Sequence, residues 1–287
     1  MRNRLKALFG AQISIGLSKS GVAVIHQQGG WRKQHTLLAD HRLAEDAVQS
    51  PERLAIQCAA ILADVDCAGF PLHITLSDDW VRLFIVTPPQ NSGRPQDLQA
   101  AAVMRFHALY GDMPNNWHLQ ADWNAFHPFL ACALPRTILA ALQQVARECK
   151  LDLITVLPQF VTTWNRYRAR VQSQSWFGTV QERSLTLGAI MPGKRPSLAA
   201  VRTITLMSDE KDAGWLSTQV SRIAMQLDVP VPTQLLLGGN HQGWITPESN
   251  PPTTMLAVQG LGEKHGDNPA PGLAISDAVL LARSVML

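Results

Sequence analysis

The sequence carries no long block of like charge, and its formal net charge is only +3 over 287 residues. A surface that tracks phosphates needs clustered lysine and arginine, so nucleic-acid binding is not expected. No apolar run approaches the length of a membrane-spanning helix. Near the start, Arg2, Arg4 and Lys6 precede Leu5, Ala7, Leu8 and Phe9, but Gly10, Gln12 and Ser14 cut that run short of a signal-peptide core. The short basic segment is at most a weak contact for an anionic lipid surface. Cysteine is scarce too: Cys58, Cys67, Cys132 and Cys149 form no C-x-x-C pair, which is the pattern of free thiols in a reducing compartment. There is no G-x-S-x-G, H-E-x-x-H or G-x-x-x-x-G-K-[ST], which removes the usual hydrolase, zinc-protease and P-loop readings. His118 and His127 have no cysteine or carboxylate at ligand spacing, so no metal site is expected. Ser77-Asp78-Asp79 places two adjacent acids at a strand end, where their side chains diverge, and a solvated turn is the expectation.

What is present is apolar patterning. With 46% hydrophobic residues the chain can fill a core in each of two compact lobes. The organising stretch is Gln12 to Gln27. Ile13, Ile15 and Leu17 alternate with small or polar residues, a turn at Ser18 to Gly21 follows, and Val22 to Ile25 carries the chain back as a hairpin. A third strand follows at Lys33 to Asp40. Ser50-Pro51-Glu52 then opens a helix, with Ser50 as cap and Pro51 at the first helical position, and Pro71 to Ser77 is a fourth strand. The same order returns about 160 residues later: a hairpin at Ser175 to Val180 and Ser184 to Met191, a strand at Leu198 to Leu206, a helix at Asp212 to Leu227 and a strand at Thr233 to Leu237. So long a period fits a duplicated domain rather than a solenoid.

Between the copies, Trp80 to Leu134 reads as a small α+β insertion: a strand at Trp80 to Thr87, a helix at Gln96 to Tyr110, and two strands around His127-Pro128. An amphipathic helix at Arg136 to Lys150, a strand at Leu151 to Leu157 and a helix from Pro158 complete the link. Loops are expected at 246–254 and 264–272, and a closing helix at Leu273 to Val285 that covers one sheet. Most of the eight tryptophans are expected to fill cores or cover loop bases; for Trp80, Trp117 and Trp123 of the insertion an aromatic peptide-docking surface is the second, less favoured reading.

Ala133-Leu-Pro-Arg-Thr-Ile-Leu-Ala-Ala-Leu, followed by Cys149-Lys-Leu-Asp-Leu-Ile-Thr-Val-Leu-Pro, resembles the linking helix and strand of the PilM, GspL cytoplasmic-domain and MshI family of the actin and Hsp70 superfamily. Leu235-Leu-Leu-Gly-Gly-Asn resembles the strand and glycine turn that passes the adenosine in that family. The resemblance implies an α/β, duplicated actin-like (ribonuclease H-like) two-lobe fold with a small inserted α+β subdomain. Its parts are a first lobe at 1–79 and 152–174, the insertion at 80–151, and a second lobe at 175–287.

Active members of that superfamily hold a hydrated metal with acidic residues, because a metal bridging phosphates takes oxygen ligands. Here Ser14, Gly178 and Pro158-Gln159 stand where those acids are expected. Gly16, Ser18, Lys19, Gly238, Gly239 and Asn240 therefore have two readings: a retained nucleotide cleft with outward amides, or turn residues left after function moved elsewhere. The missing charges favour the second, so no cofactor is expected and ATP is the disfavoured alternative.

The implied role is a non-catalytic scaffold of a type IV pilus or type II secretion-like assembly. It would lie in the cytoplasm, peripheral to the inner membrane, and take the short cytoplasmic tail of a PilN-like inner-membrane partner. Leu83, Phe84, Ile85, Met104 and Phe106 are the candidates for that groove, since an extended peptide needs a strand edge or apolar trough. The alternative, an active ATPase or sugar kinase, requires replacement acids such as Glu182 or Asp209.

Overall fold

The computed structural model describes residues 10–30, 34–90, 93–172, 175–191, 197–206, 213–241, 244, 256–261 and 275–285. The expected loops at 246–254 and 264–272, the basic N-terminal residues and Asp209 lie outside them. The first third of the chain holds β1 (Gln12–Leu17), β2 (Gly21–Gln27), β3 (His35–Arg42), α1 (Pro51–Ala63), β4 (Pro71–Leu76) and β5 (Arg82–Val86). Next come α2 (Pro95–Tyr110), β6 (Trp117–Ala121), β7 (Phe129–Pro135), α3 (Arg136–Glu148), β8 (Asp152–Pro158) and α4 (Gln159–Tyr167). The remainder forms β9 (Ser175–Val180), β10 (Ser184–Met191), β11 (Ser197–Thr205), α5 (Ala213–Leu227), β12 (Gln234–Gly239), β13 (Ala257–Leu261) and α6 (Asp277–Ser284). The chain divides into two compact units: residues up to Trp80 with Pro135–Thr162 and the stretch from His265, and Val81–Leu134 with Thr163–Lys264.

The first unit is built on a sheet of order β3-β2-β1-β4-β8. β1 pairs antiparallel with β2 and parallel with β4, so its alternating Ile13, Ile15 and Leu17 are buried, as are Ser14 and Gly16 on the other face. α1 starts as its sequence dictates: Ser50 Oγ accepts from the Arg53 amide at 3.4 Å, and Pro51 spends its missing N–H where the helix needs none. Its buried Leu54, Cys58 and Leu62 pack with α3, whose Ile138, Ala141, Leu142, Val145 and Ala146 repeat at helical spacing. α6, capped by Ser276 Oγ on the Val279 amide, lies on β1, β2 and β4 and seals Ala23 and Ile25 with Ala278, Val279 and Ala282.

The second unit repeats the plan. Its sheet has order β11-β10-β9-β12-β13, again with an antiparallel hairpin partner on one side of the first strand and parallel strands on the other. Leu216, Val220, Ile223 and Ala224 of α5 close its core against Leu185, Leu187, Leu235 and Leu237. The expected duplication is thus present strand for strand. This unit also carries a three-stranded sheet of order β5-β7-β6, on which α2 packs Leu98, Ala102 and Phe106 against Phe84, Val86 and Phe129. β5 lies beside β11, and β6 is the outer strand of the small sheet.

The units depart from the expected boundaries in three places. Residues 135–151 belong with the first sheet rather than the insertion, because the apolar face of α3 meets α1. The C-terminal helix returns to the first sheet rather than closing the second, and Gly16 on β1 admits its backbone there. Residues 163–174 group with the second unit, where Trp164 stacks edge-on against Phe177 at 5.4 Å.

Candidate functional site

At the β1–β2 turn the groups that could hold a phosphate are already engaged. Ser18, 4% exposed, accepts through Oγ from the amides of Gly21 at 2.9 Å and Ser20 at 3.2 Å, while its own amide donates to Gly21 O at 2.9 Å. This is the local hydroxyl-to-backbone closure that makes serine a turn residue. Lys19 leans away: its Nζ is 3.5 Å from the Asp79 carboxylate and 5.8 Å from the Trp80 ring centroid. Gly16 serves packing. A Cβ there would stand 1.9 Å from Ala278 O and 2.5 Å from the Ala282 amide nitrogen, so glycine is what lets α6 lie on the sheet. Beside it on the same strand, Ser14 is fully buried, and its Oγ has no hydrogen-bond partner.

The acids at the end of β4 are not a solvated turn. Asp78 is 1% exposed, and its Oδ1 accepts from the Phe160 amide at 2.8 Å, capping α4 from a segment far away in the chain. A carboxylate at a helix N-terminus meets both the orphan amide and the positive end of the helix dipole. Asp79, by contrast, is only partly buried; it accepts from Ser77 Oγ and pairs with Lys19. The neutral Pro158-Gln159 start of this helix is therefore supplied with an acid in space rather than in sequence. The signal was in the chain, but its partner lay beyond any local pattern.

In the second unit, a Cβ on Gly238 would meet Thr163 Cγ2 at 2.7 Å, and Gly239 has φ +89°, the left-handed region that favours glycine. The Asn240 amide donates to Val180 O at 3.0 Å and the His241 amide to Gly239 O at 3.0 Å. His241 Nδ1 lies 2.7 Å from the same carbonyl; burial lowers its pKa, with that hydrogen bond acting the other way. This glycine turn is held by backbone hydrogen bonds, as the first hairpin turn is held by Ser18 Oγ. Gly16, Ser18 and Lys19 belong to one unit and Gly238, Gly239 and Asn240 to the other.

The partner candidates divide sharply by burial. Phe84 and Phe106 are core residues between the small sheet and α2, Leu83 is buried, Ile85 is half-buried, and Met104 is 66% exposed. Leu83, Phe84 and Phe106 thus present no side-chain surface: alternation on β5 and helical spacing on α2 aim Phe84 and Phe106 into one core, and Leu83 is buried on the other face of β5. The exposed apolar side chains of the small subdomain are Val103, Met104, Leu109, Met113 and Phe126. The tryptophans do not form one group: Trp80 is buried in the first unit, while half-buried Trp117 and Trp123 stack on Phe106 and Phe129. Among the described residues no three His, Cys, Asp or Glu side chains are grouped to hold a metal ion, and no helix is long and apolar enough to cross a membrane. Burial pushes the Cys58 thiol up to about 12 and Cys67 to about 11, with Cys149 adding to both, so these thiols stay protonated and unreactive.

No protein-family model and no curated protein matches the chain. Among solved structures it is similar to the cytoplasmic domain of EpsL, an inner membrane component of the type II secretion system of Vibrio cholerae. That match has a TM-score of 0.58 at 12% identity and covers 96% of this chain and 94% of the other. A Bacteroides thetaiotaomicron protein of unknown function with an actin-like ATPase fold matches with a TM-score of 0.57 at 10% identity, over 84% of this chain and 86% of its own. The fold is actin-like. The PilM–PilN type IV pilus biogenesis complex gives a TM-score of 0.48 at 17% identity, covering 77% and 66%.

The positions at which acids are expected in an actin-like ATPase have structural uses here. Ser14 is sealed in the sheet beside the α6 contact. Gly178 has no room for a side chain: a Cβ would stand 2.9 Å from Thr186 O and 3.1 Å from both Leu187 Cδ2 and Leu237 Cδ1. Of the replacement acids, Glu182 is exposed on the β9–β10 turn, and Asp209 lies outside the described residues.

Proposed function

We propose that the chain is a non-catalytic, actin-like scaffold of a type II secretion or type IV pilus-like assembly, holding the short cytoplasmic tail of an inner-membrane partner. The observation that carries this reading is the closed β1–β2 turn. Ser18 Oγ takes the Ser20 and Gly21 amides that a phosphate would need, and Lys19 is committed to Asp79. The lack of space at Gly178 supports it from the second hairpin. The near-complete coverage of the EpsL cytoplasmic domain supports the choice of assembly.

The partner site belongs to the small subdomain. Its outer strand β6 alternates exposed His118 and Gln120 with half-buried Trp117 and Leu119, an edge to which an extended peptide can add. Exposed Met104 replaces buried Phe84 and Phe106 as the apolar contact on α2. The test is calorimetric titration with the tail peptide of the membrane protein encoded beside it. Binding in the micromolar range or tighter is expected, and an absence of binding overturns the reading. A thermal shift with Mg-ATP checks the other half: none is expected, whereas a bound nucleotide at a hundred times its Kd adds about 2.7 kcal/mol.

A further inference from the structure

Arg82 opens β5. Alternate residues of a strand share a face, so its side chain leaves the small sheet on the side of Phe84, toward α2. There it lies over two rings: its Cζ is 5.4 Å from the centroid of Tyr110, the last residue of α2, and 6.0 Å from that of Trp117, the first residue of β6. Both rings are fixed. The Tyr110 hydroxyl donates to Leu83 O at 3.1 Å, its ring meets Phe84 at 6.1 Å and Phe106 at 5.3 Å, and Trp117 meets Phe106 at 5.3 Å. The rings thus hold the planar group in place while Arg82 stays exposed, and a stacked guanidinium keeps its N–H edge for a carboxylate. Among the described residues no carboxylate pairs with it. The only acids between Arg82 and Leu134 are Asp97, Asp112 and Asp122. Asp97 is in the first turn of α2, about 20 Å along the helix from Tyr110, and Asp122 lies past the far end of β6. Asp112 turns its carbonyl oxygen to His107, 3.2 Å from Nδ1.

We propose that Arg82 sets the specificity of the peptide site, taking the carboxylate of an Asp or Glu on the segment that adds to β6. The inference rests on the strand-edge reading above and gives that segment its chemistry. A strand added to β6 sends alternate side chains to the α2 face, where Trp117 and Leu119 are half-buried, and one of them stands beside Trp117. A carboxylate there meets two parallel N–H groups, the bidentate pairing for which a planar guanidinium is shaped. A free small anion does not suit the site. One exposed arginine holds such an ion weakly, whereas a carboxylate carried on a strand already hydrogen-bonded to β6 arrives at high local concentration. Exposed Leu109 and Met113, on either side of Tyr110 in sequence, offer apolar contact around the charge.

The experiment begins with a phage-displayed library of random linear peptides, panned on the full chain and in parallel on Arg82→Gln. Binders of the native chain are expected to share an Asp or Glu at one position, and binders of the variant to lack it. Calorimetric titration of one selected peptide then closes a double-mutant cycle. Arg82→Gln and the acid-to-amide change in the peptide each weaken binding about tenfold, and the two together no more than either alone. Arg82→Lys, which keeps the charge and gives up the fork, weakens binding less, and it replaces Arg82→Gln in the cycle if the latter lowers the melting temperature. An arginine that only braces the two rings leaves the losses additive. Additive losses, an empty selection, binders without a shared acid, or the same acid among binders of the variant overturn the inference. The tail titration is separate. A tail whose binding is untouched by Arg82→Gln sinks the inference alone, and a tail that fails to bind while acidic peptides do sinks the tail reading alone.

Discussion

Ser14 occupies the centre of the first sheet with a buried hydroxyl that has no partner. A buried, unmade hydrogen bond costs free energy, so Ser14→Ala is expected to stabilise the fold by about 0.5–1 kcal/mol, read as a higher urea midpoint. A residue that still served a nucleotide would show the opposite pattern, with no gain in stability and a loss of ligand. His73 gives a pH signature. Its Nδ1 lies 2.9 Å from Thr155 Oγ1, and burial lowers its pKa below the ordinary imidazole value. The unfolded chain therefore binds a proton first as pH falls through about 6.5, so stability is constant above that value and declines below it. His241 shifts in the same direction and adds to the decline. Melting temperatures across pH 7 to about 5 should fall, and His73→Asn should flatten the slope.

Among the elements, α4 shows best how far local pattern reaches. Its cap is Asp78, so Asp78→Ala should destabilise the fold by about 2 kcal/mol in urea unfolding, with Asp78→Asn milder because an amide oxygen still accepts from Phe160. The sequence announced α1 through Ser50-Pro51, and the first hairpin through alternating Ile13, Ile15, Leu17 and the Ser18–Gly21 turn, because these signals act within a few residues. Asp78 was misread as solvated for the converse reason: its partner is across the unit and leaves no trace beside it. The same limit applies to helix faces. The periodicity of α3 states that one face is buried but not that α1 covers it, which is why its place with the first sheet was not legible. Phe84 and Phe106 were legible as apolar, while the inward aim of Phe84 depended on a sheet pairing, and that of Phe106 on which face of α2 meets the sheet, neither of which leaves a local signal.

For the whole molecule, the duplicated strand order was readable because it is carried by sequence order itself, whereas the owner of the last helix was not. α6 is anchored by close approach at Gly16 and by Ser276 Oγ, which donates to Asp40 Oδ1 at 2.9 Å. Truncation before Ile275 should therefore unfold the first unit ahead of the second, and hydrogen exchange should show β1 and β2 losing protection first. On the ribosome the arrangement imposes an order of events. N-terminal domains usually finish folding while the rest is being made, but here the β1–β2 hairpin stays uncovered on one side until α6 has been translated. β1 and β2 thus wait for α6, and a chaperone with a taste for Ala23 and Ile25 has the translation of everything between them in which to find them.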